Sequence, residues 1–187
     1  MHLLSYKEIL EYLSGMGRDY LEIVNFEERL LQHTFYYFRL GSEYEVRDAQ
    51  GYKILRLTKE DQYLNLEPQG YAVIRSHETF RFSNKVMGIL GPTSDFVRSG
   101  LELVHSPFID PLFHGKLEMG LWNRLKTPIS IRLGQRIGKI AFFDISDTSS
   151  VQILEGSIAE QKFKRRIPLR DDDPVPAWVE EDDPQEP

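Results

Sequence analysis

The sequence predicts a mainly β protein, a β-barrel or jelly roll that follows one or two short N-terminal helices. Three observations carry this expectation. Short alternating or β-branched segments follow one another closely from residue 33 to residue 145. Gly and Pro punctuate them at short intervals, and helical patterning is confined to the N-terminal stretch. Ser5 and Glu8 have capping-box spacing, and Ile9, Leu10 and Leu13 then supply an apolar stripe that Gly15 and Gly17 end. An amphipathic stretch from Asp19 to Leu31 predicts a second helix. Strands are expected in 33–41, 52–58, 63–68 and 71–82, with a turn at Pro68-Gln69-Gly70. Residues 101–123 read as strand, turn, strand around Pro107, Pro111 and Gly115. Residues 127–145 hold two more strands, separated by Leu133-Gly134-Gln135.

Length and composition set the limits on function. The 187 residues amount to about one domain, and 41% hydrophobic residues give it enough apolar material for a core. No apolar run nears the ~20 residues of a membrane span, so no membrane partner and a cytoplasmic setting are expected. Without cysteine there is no thiolate nucleophile and no Cys-ligated zinc, which excludes the zinc-type nucleobase deaminases. The formal charge of −6 is uneven: residues 171–187 hold eight acids and no Lys or Arg, leaving the first 170 residues at +2. The division is therefore a domain over 1–170 and an acidic, Pro-rich tail over 171–187. A near-neutral body with an acidic tail does not fit a nucleic-acid binder. Lys162, Lys164, Arg165, Arg166 and Arg170 form the densest basic cluster, which either grips a phosphate or pairs with Asp171 to Asp173. In the tail, Trp178 has the character of a residue that docks into a groove.

There is no Walker loop, dinucleotide fingerprint, H-E-x-x-H or G-x-S-x-G. The five histidines show no metal-ligand spacing, so no protein-built metal centre is expected. Three patterns occur in order instead. They are P-x-S followed by a glycine (Pro92, Ser94, Gly100), I-D-P-x-aromatic-x-G from Ile109 to Gly115 followed by Trp122-Asn123, and G-x-R-I-G-K from Gly134 to Lys139. In this order and spacing the chain resembles the dCTP deaminase/dUTPase superfamily over about residues 3–165.

The resemblance implies a distorted barrel that assembles as a homotrimer, with nucleotide pockets at subunit interfaces and Mg²⁺ bound through the triphosphate. It implies that Ser94 offers its hydroxyl and N–H to phosphate oxygens. Arg98 would lie near the triphosphate and the reacting base. Asp110 would accept the sugar 3′-hydroxyl and, in dUTPase-type chemistry, orient a water. The backbone of 104–109, with Ser106 and Ile109, would read the pyrimidine edge, and Lys162 falls in the segment that closes the pocket. Taken alone, Ser94 and Asp110 equally suit turns that cap their own backbone.

Four departures from the family pattern stand out. The position of the deaminases' acid/base glutamate, three before the Asn of the aromatic–Asn pair, is Gly120. Loss of general acid–base help typically costs about 10²–10⁴-fold. Glu118 is two residues away on the same strand face, about 6.6 Å by strand rise. Tyr37 stands in place of the first motif's Asp, and Thr93 in place of the serine motif's Arg. The closing segment, Lys162-Phe163-Lys164, lacks the expected glutamine. The sequence therefore points to a nucleotide-binding homotrimer with lost or much reduced deaminase chemistry. The alternatives are an active dUTPase-type pyrophosphohydrolase, a dCTP deaminase using a displaced base such as Glu118, and a purely structural trimer worked through its tail.

Overall fold

The structure, a computed structural model, describes residues 1–15, 20–48 and 51–146. The boundary at 170, Lys162 and its basic neighbours, Trp178 and the acidic tail lie outside the described residues. Strand β1 (His2–Leu3) leads into helix α1 (Tyr6–Leu13). Ser5 accepts from the Glu8 N–H, and the Glu8 carboxylate accepts from the Ser5 N–H at 2.8 Å, completing the capping box. Gly15 follows the C-cap at φ +67°, a left-handed conformation that suits glycine. Ser5→Ala removes one half of this box and is expected to lower stability by about 1 kcal/mol, read from a urea unfolding curve.

The second predicted helix does not form over the described residues 20–31. Residues 21–24 form β2 (Leu21–Val24), followed by a 3₁₀ turn at Glu28–Leu30 and β3 (Leu31–Gln32). Leu21 and Ile23 are buried while Glu22 and Val24 are exposed, a period of two. Asn25 then takes φ +65°, which a continuing helix does not tolerate. Pairing of β2 with a long central strand, a contact remote in sequence, outweighs the local helical pattern.

The remaining strands are β4 (Phe35–Asp48), β5 (Gly51–Arg56), β6 (Tyr63–Leu66), β7 (Tyr71–Phe82), β8 (Val86–Pro92), β9 (Leu101–Val104), β10 (Phe108–Ile109), β11 (His114–Asn123), β12 (Ile129–Arg132) and β13 (Arg136–Asp144). A second helix, α2 (Ser94–Arg98), sits between β8 and β9. The main sheet runs β10-β8-β13-β4-β7-β11-β9, with β1, β2, β3 and β5 pairing onto it, and β6 and β12 form a separate pair. All pairings are antiparallel, so the body is the expected mainly β, curled barrel.

Curling depends on β4, which pairs with β13 through residues 35–39 and with β7 and β5 beyond Leu40. A register shift between Leu40 and Tyr44 marks the bend. A Cβ on Gly41 would lie 2.6 Å from the Ser76 carbonyl oxygen, so the bend requires glycine. Strand β7 alternates without a break, burying Ala72, Ile74, Ser76, Glu78, Phe80 and Phe82. Around Phe82, Phe80, Phe113 and Phe142 make edge-to-face contacts with ring centroids 5.7–6.5 Å apart.

Candidate functional site

Two of the three ordered patterns, the first and the last, converge with strand β4 on one cleft of about 410 Å³, lined by Tyr37, Thr93, Ser94, Asp95, Phe96, Ser99, Gln135 and Arg136. Tyr37 comes from β4 and Thr93–Ser94 from the start of α2. Gln135 and Arg136 come from the turn into β13, where Gly134 takes φ +77°. Sheet register explains the meeting: β13 lies between β4 and β8, with Gly138 opposite Phe38 and Pro92. A Cβ on Gly138 would come within 2.3 Å of the Phe38 ring, so glycine there lets β4 approach closely.

The departure at Thr93 has a local cause. Its hydroxyl accepts from the Phe96 N–H at 3.2 Å and caps α2. Ser94 follows the cap and is exposed in the cleft. Arg136 supplies the cleft's single cationic side chain among the described residues, with its guanidinium 5.4 Å from the Tyr37 ring centroid. Asp95 supplies its single carboxylate among the same residues. Arg136 belongs to the G-x-R-I pattern, but its position beside Ser94 becomes visible only when β13 is laid against β4 and β8.

The other predicted residues lie elsewhere. Arg98 is exposed in the last turn of α2 and is not among the cleft-lining residues. Asp110 is exposed just after β10, and its carbonyl accepts from the Phe113 N–H at 3.2 Å. Ile109 pairs with Gly88 on β8, so Asp110 stands near the Met87 end of that strand and Ser94 beyond its Pro92 end. Five residues of strand rise separate the two ends by about 17 Å. One copy of the chain does not bring Ser94 and Asp110 together. The Ile109 side chain is buried, while Ser106 is exposed with its hydroxyl 3.4 Å from the Phe108 N–H. Strand β10 ends the main sheet, leaving one backbone edge of this turn outside the ladder.

A second face is built by β7, β11 and β9. Glu118, Gly120 and Trp122 share one face of β11, opposite Arg75, Val73 and Tyr71 on β7; Glu118 is exposed, Trp122 half-buried and Gly120 buried. The Glu118 carboxylate accepts from Arg75 Nε at 2.7 Å, and Arg75 also donates to Glu43 at 3.0 Å. A small cavity of about 70 Å³ opens beside this cluster. Burial pulls the Arg75 pKa down, but the charges and hydrogen bonds of Glu118 and Glu43 outweigh it and the group lies above its ordinary value. The hydrogen bond from Arg75 holds the Glu43 carboxyl below its usual range. Gly120 has no free space beside it: a Cβ there would meet the Tyr71 hydroxyl at 2.1 Å. The indole Nε1 of Trp122 is buried and has no hydrogen-bond acceptor among the described residues. Asn123 has a structural task, with its Nδ2 donating to the carbonyls of Leu66, Glu67 and Thr127 at 2.9–3.1 Å.

Residues 3–145 match the dCTP deaminase-like family. The dCTP deaminase of Pyrococcus furiosus is 30% identical over 125 residues, which cover 67% of this chain and 76% of that protein. That of Thermococcus sibiricus is 29% identical over 153 residues, 80% of this chain and 94% of that protein. Among solved structures, the 2'-deoxycytidine 5'-triphosphate deaminase of Agrobacterium tumefaciens has a TM-score of 0.61 at 18% identity, over 75% of this chain. This chain spans about half of that protein's length, 48%, and the likeness is one of fold. The family match takes in β4, α2, β11 and β13 together, and thus every strand that forms the cleft as well as the second face around Gly120. On that match and its relatives, the chain belongs to the dCTP deaminase-like family of the dCTP deaminase/dUTPase superfamily.

Proposed function

We propose that this protein binds a deoxynucleotide as a homotrimer and that its deaminase chemistry is lost or much reduced. The convergence of Tyr37, Thr93–Ser94 and Arg136 on a single cleft supports the binding half. An exposed hydroxyl, backbone N–H groups and a guanidinium suit phosphate oxygens, which accept charge-assisted hydrogen bonds. The separation of Ser94 and Asp110 by the length of β8 supports the trimer. A neighbouring copy would bring its Asp110 to the sugar hydroxyl and its residues 104–109, with Ser106 and Ile109, to the base. Arg98 would serve the same shared pocket, and Lys162 would reach phosphate from outside the described residues.

Mg²⁺ fits this cleft only as a passenger of the nucleotide. Among the described residues no three His, Asp or Glu side chains gather to hold a metal. Asp95 is the one carboxylate lining the cleft among the described residues, and Mg²⁺ is commonly held by one or two carboxylates plus substrate phosphates. Bound in that way, the ion would neutralise charge on the triphosphate oxygens. The chemical half rests on Gly120, which has no group to move a proton, and on Glu118, which is engaged by Arg75.

The test is chromatographic product analysis after long incubation with dCTP and dUTP plus Mg²⁺, beside calorimetric titration of each nucleotide. The expected result is binding with both nucleotides recovered intact. Formation of dUTP from dCTP, or of dUMP and pyrophosphate, abolished by Asp110→Ala, would assign an active deaminase or hydrolase instead. Absence of binding would remove the nucleotide reading.

A further inference from the structure

We propose that the outer face of β4, β13, β8 and β10, anchored by Phe108, is where a second copy of this chain seats. The inference deepens the homotrimer reading above and rests on it. Register fixes the face. Phe108 on β10 pairs with Ile89 on β8, Ile89 with Ala141 on β13, and Ala141 with Phe35 on β4. Directly paired residues share one side of a sheet, so these four side chains form a row across four strands. The alternate positions Tyr36, Leu90 and Ile140 are buried in the core, which puts the row on the opposite side. A second row follows in the same way, with Leu3 on β1 paired with Phe143 and Phe143 with Met87.

An antiparallel sheet with one side in the core commonly turns a polar side to water. This sheet does not. Phe108 is 58% exposed, Leu3 39% and Ile89 37%, while Phe35, Met87 and Phe143 are half-buried. The next row is Tyr37, Lys139 and Gly91, and Lys139 lays its ammonium over the Phe35 ring at 4.7 Å from the centroid. Four strands and three such rows make a face of about 20 Å by 20 Å. A contiguous apolar patch of this size, roughly 400 Å², marks an interaction site. It matches the apolar centre of a standard interface, which takes about 800 Å² from each partner.

The borders of the face identify its occupant. At one border Tyr37 lines the cleft. At the other, β10 runs directly into Asp110, which within one copy stands about 17 Å from Ser94. The two parts of the site that one copy keeps apart therefore flank a single apolar face. A second copy packed head to tail, with its β10 end against the cleft border of its neighbour, carries its Asp110 toward that neighbour's cleft. A head-to-tail contact that closes on itself makes a ring, as a trimer requires. The polar borders then form the rim, and Phe108 is the exposed aromatic that a neighbour buries.

Sedimentation equilibrium of the full-length protein and its Phe108→Glu, Ile89→Lys and Phe108→Leu forms tests this, with circular dichroism to verify folding. Both positions are exposed in the single chain, so a charge there is expected to leave the fold intact. The unaltered protein is expected at the mass of three chains. Phe108→Glu and Ile89→Lys are expected to weaken association about 30-fold or more and shift the mass toward one chain, while Phe108→Leu keeps the trimer. An unchanged trimer in folded Phe108→Glu would overturn the proposal, and so would a monomeric wild type. Calorimetric titration of dCTP and dUTP into the same proteins separates the two readings. If Phe108→Glu dissociates a wild-type trimer that binds neither nucleotide, the nucleotide-binding reading fails and this face stands.

Discussion

Glu78→Ala is expected to destabilise the protein by about 3–5 kcal/mol, the range for breaking a buried ion pair by removing one partner. Glu78 is fully buried, and both carboxylate oxygens are used. Oε1 accepts from Arg39 Nε at 2.6 Å, and Oε2 accepts from the Arg39 backbone N–H at 2.9 Å. The guanidinium also donates to Glu27 and to the Asn25 carbonyl at 2.8 Å. Burial pulls the Arg39 pKa down, yet Glu78 and Glu27 together hold it above its ordinary value. Alanine at 78 leaves a nearly buried cation with only the outlying Glu27 carboxylate, whose side chain is 34% exposed. Urea unfolding measures the loss. A cost below about 1 kcal/mol would mean that Arg39 finds water, and that the network does not anchor β4. That anchoring bears on function, because Arg39 lies two residues beyond Tyr37 on the strand that lines the cleft.

Arg136→Ala is expected to weaken nucleotide triphosphate binding about 10- to 100-fold, the loss of hydrogen bonds to a charged group worth roughly 1.5–3 kcal/mol. Arg136 is exposed and stacked on Tyr37, with no carboxylate partner among the described residues. Its charge is thus available to an anion, and the effect is expected to shrink at high salt. The corresponding nucleoside, which lacks phosphate, should bind both proteins equally. Arg132→Ala supplies a control on the preceding strand, since Arg132 donates to Gln62 and lies outside the cleft. Equal triphosphate affinity in wild type and Arg136→Ala would remove the cleft from the binding site.

Much of this molecule was legible in the order of its residues. Alternation in Tyr71–Phe82 marks β7 end to end, because a strand buried on one face must repeat every two residues. Ser5 and Glu8 announce α1, because a capping box is closed within four residues. Pro92, Ser94, Asp110 and Gly134 reveal the family through their order. Each of these signals is local, or depends only on sequence spacing.

What the sequence concealed involves partners brought together by strand pairing. Asp19–Leu31 has the composition of an amphipathic helix, but the open edge of β7 recruits Leu21–Val24 as a strand. Helix α2 is only five residues long, too short to leave a periodic pattern, and its cap at Thr93 looks in sequence like a departure in a binding motif. Arg39 and Glu78 are two unremarkable charges until β4 and β7 bury them against each other. Arg136 enters the cleft only because β13 lies between β4 and β8.

Gly120 shows the division best. The sequence alone determined that this position carries no acid, since that is a matter of residue identity. Only the tertiary structure decided that Tyr71 fills the vacated space, because the two residues become neighbours solely through the register of β7 against β11. In a sheet that register is set by which faces are buried along the whole strand, and no short stretch of sequence contains it.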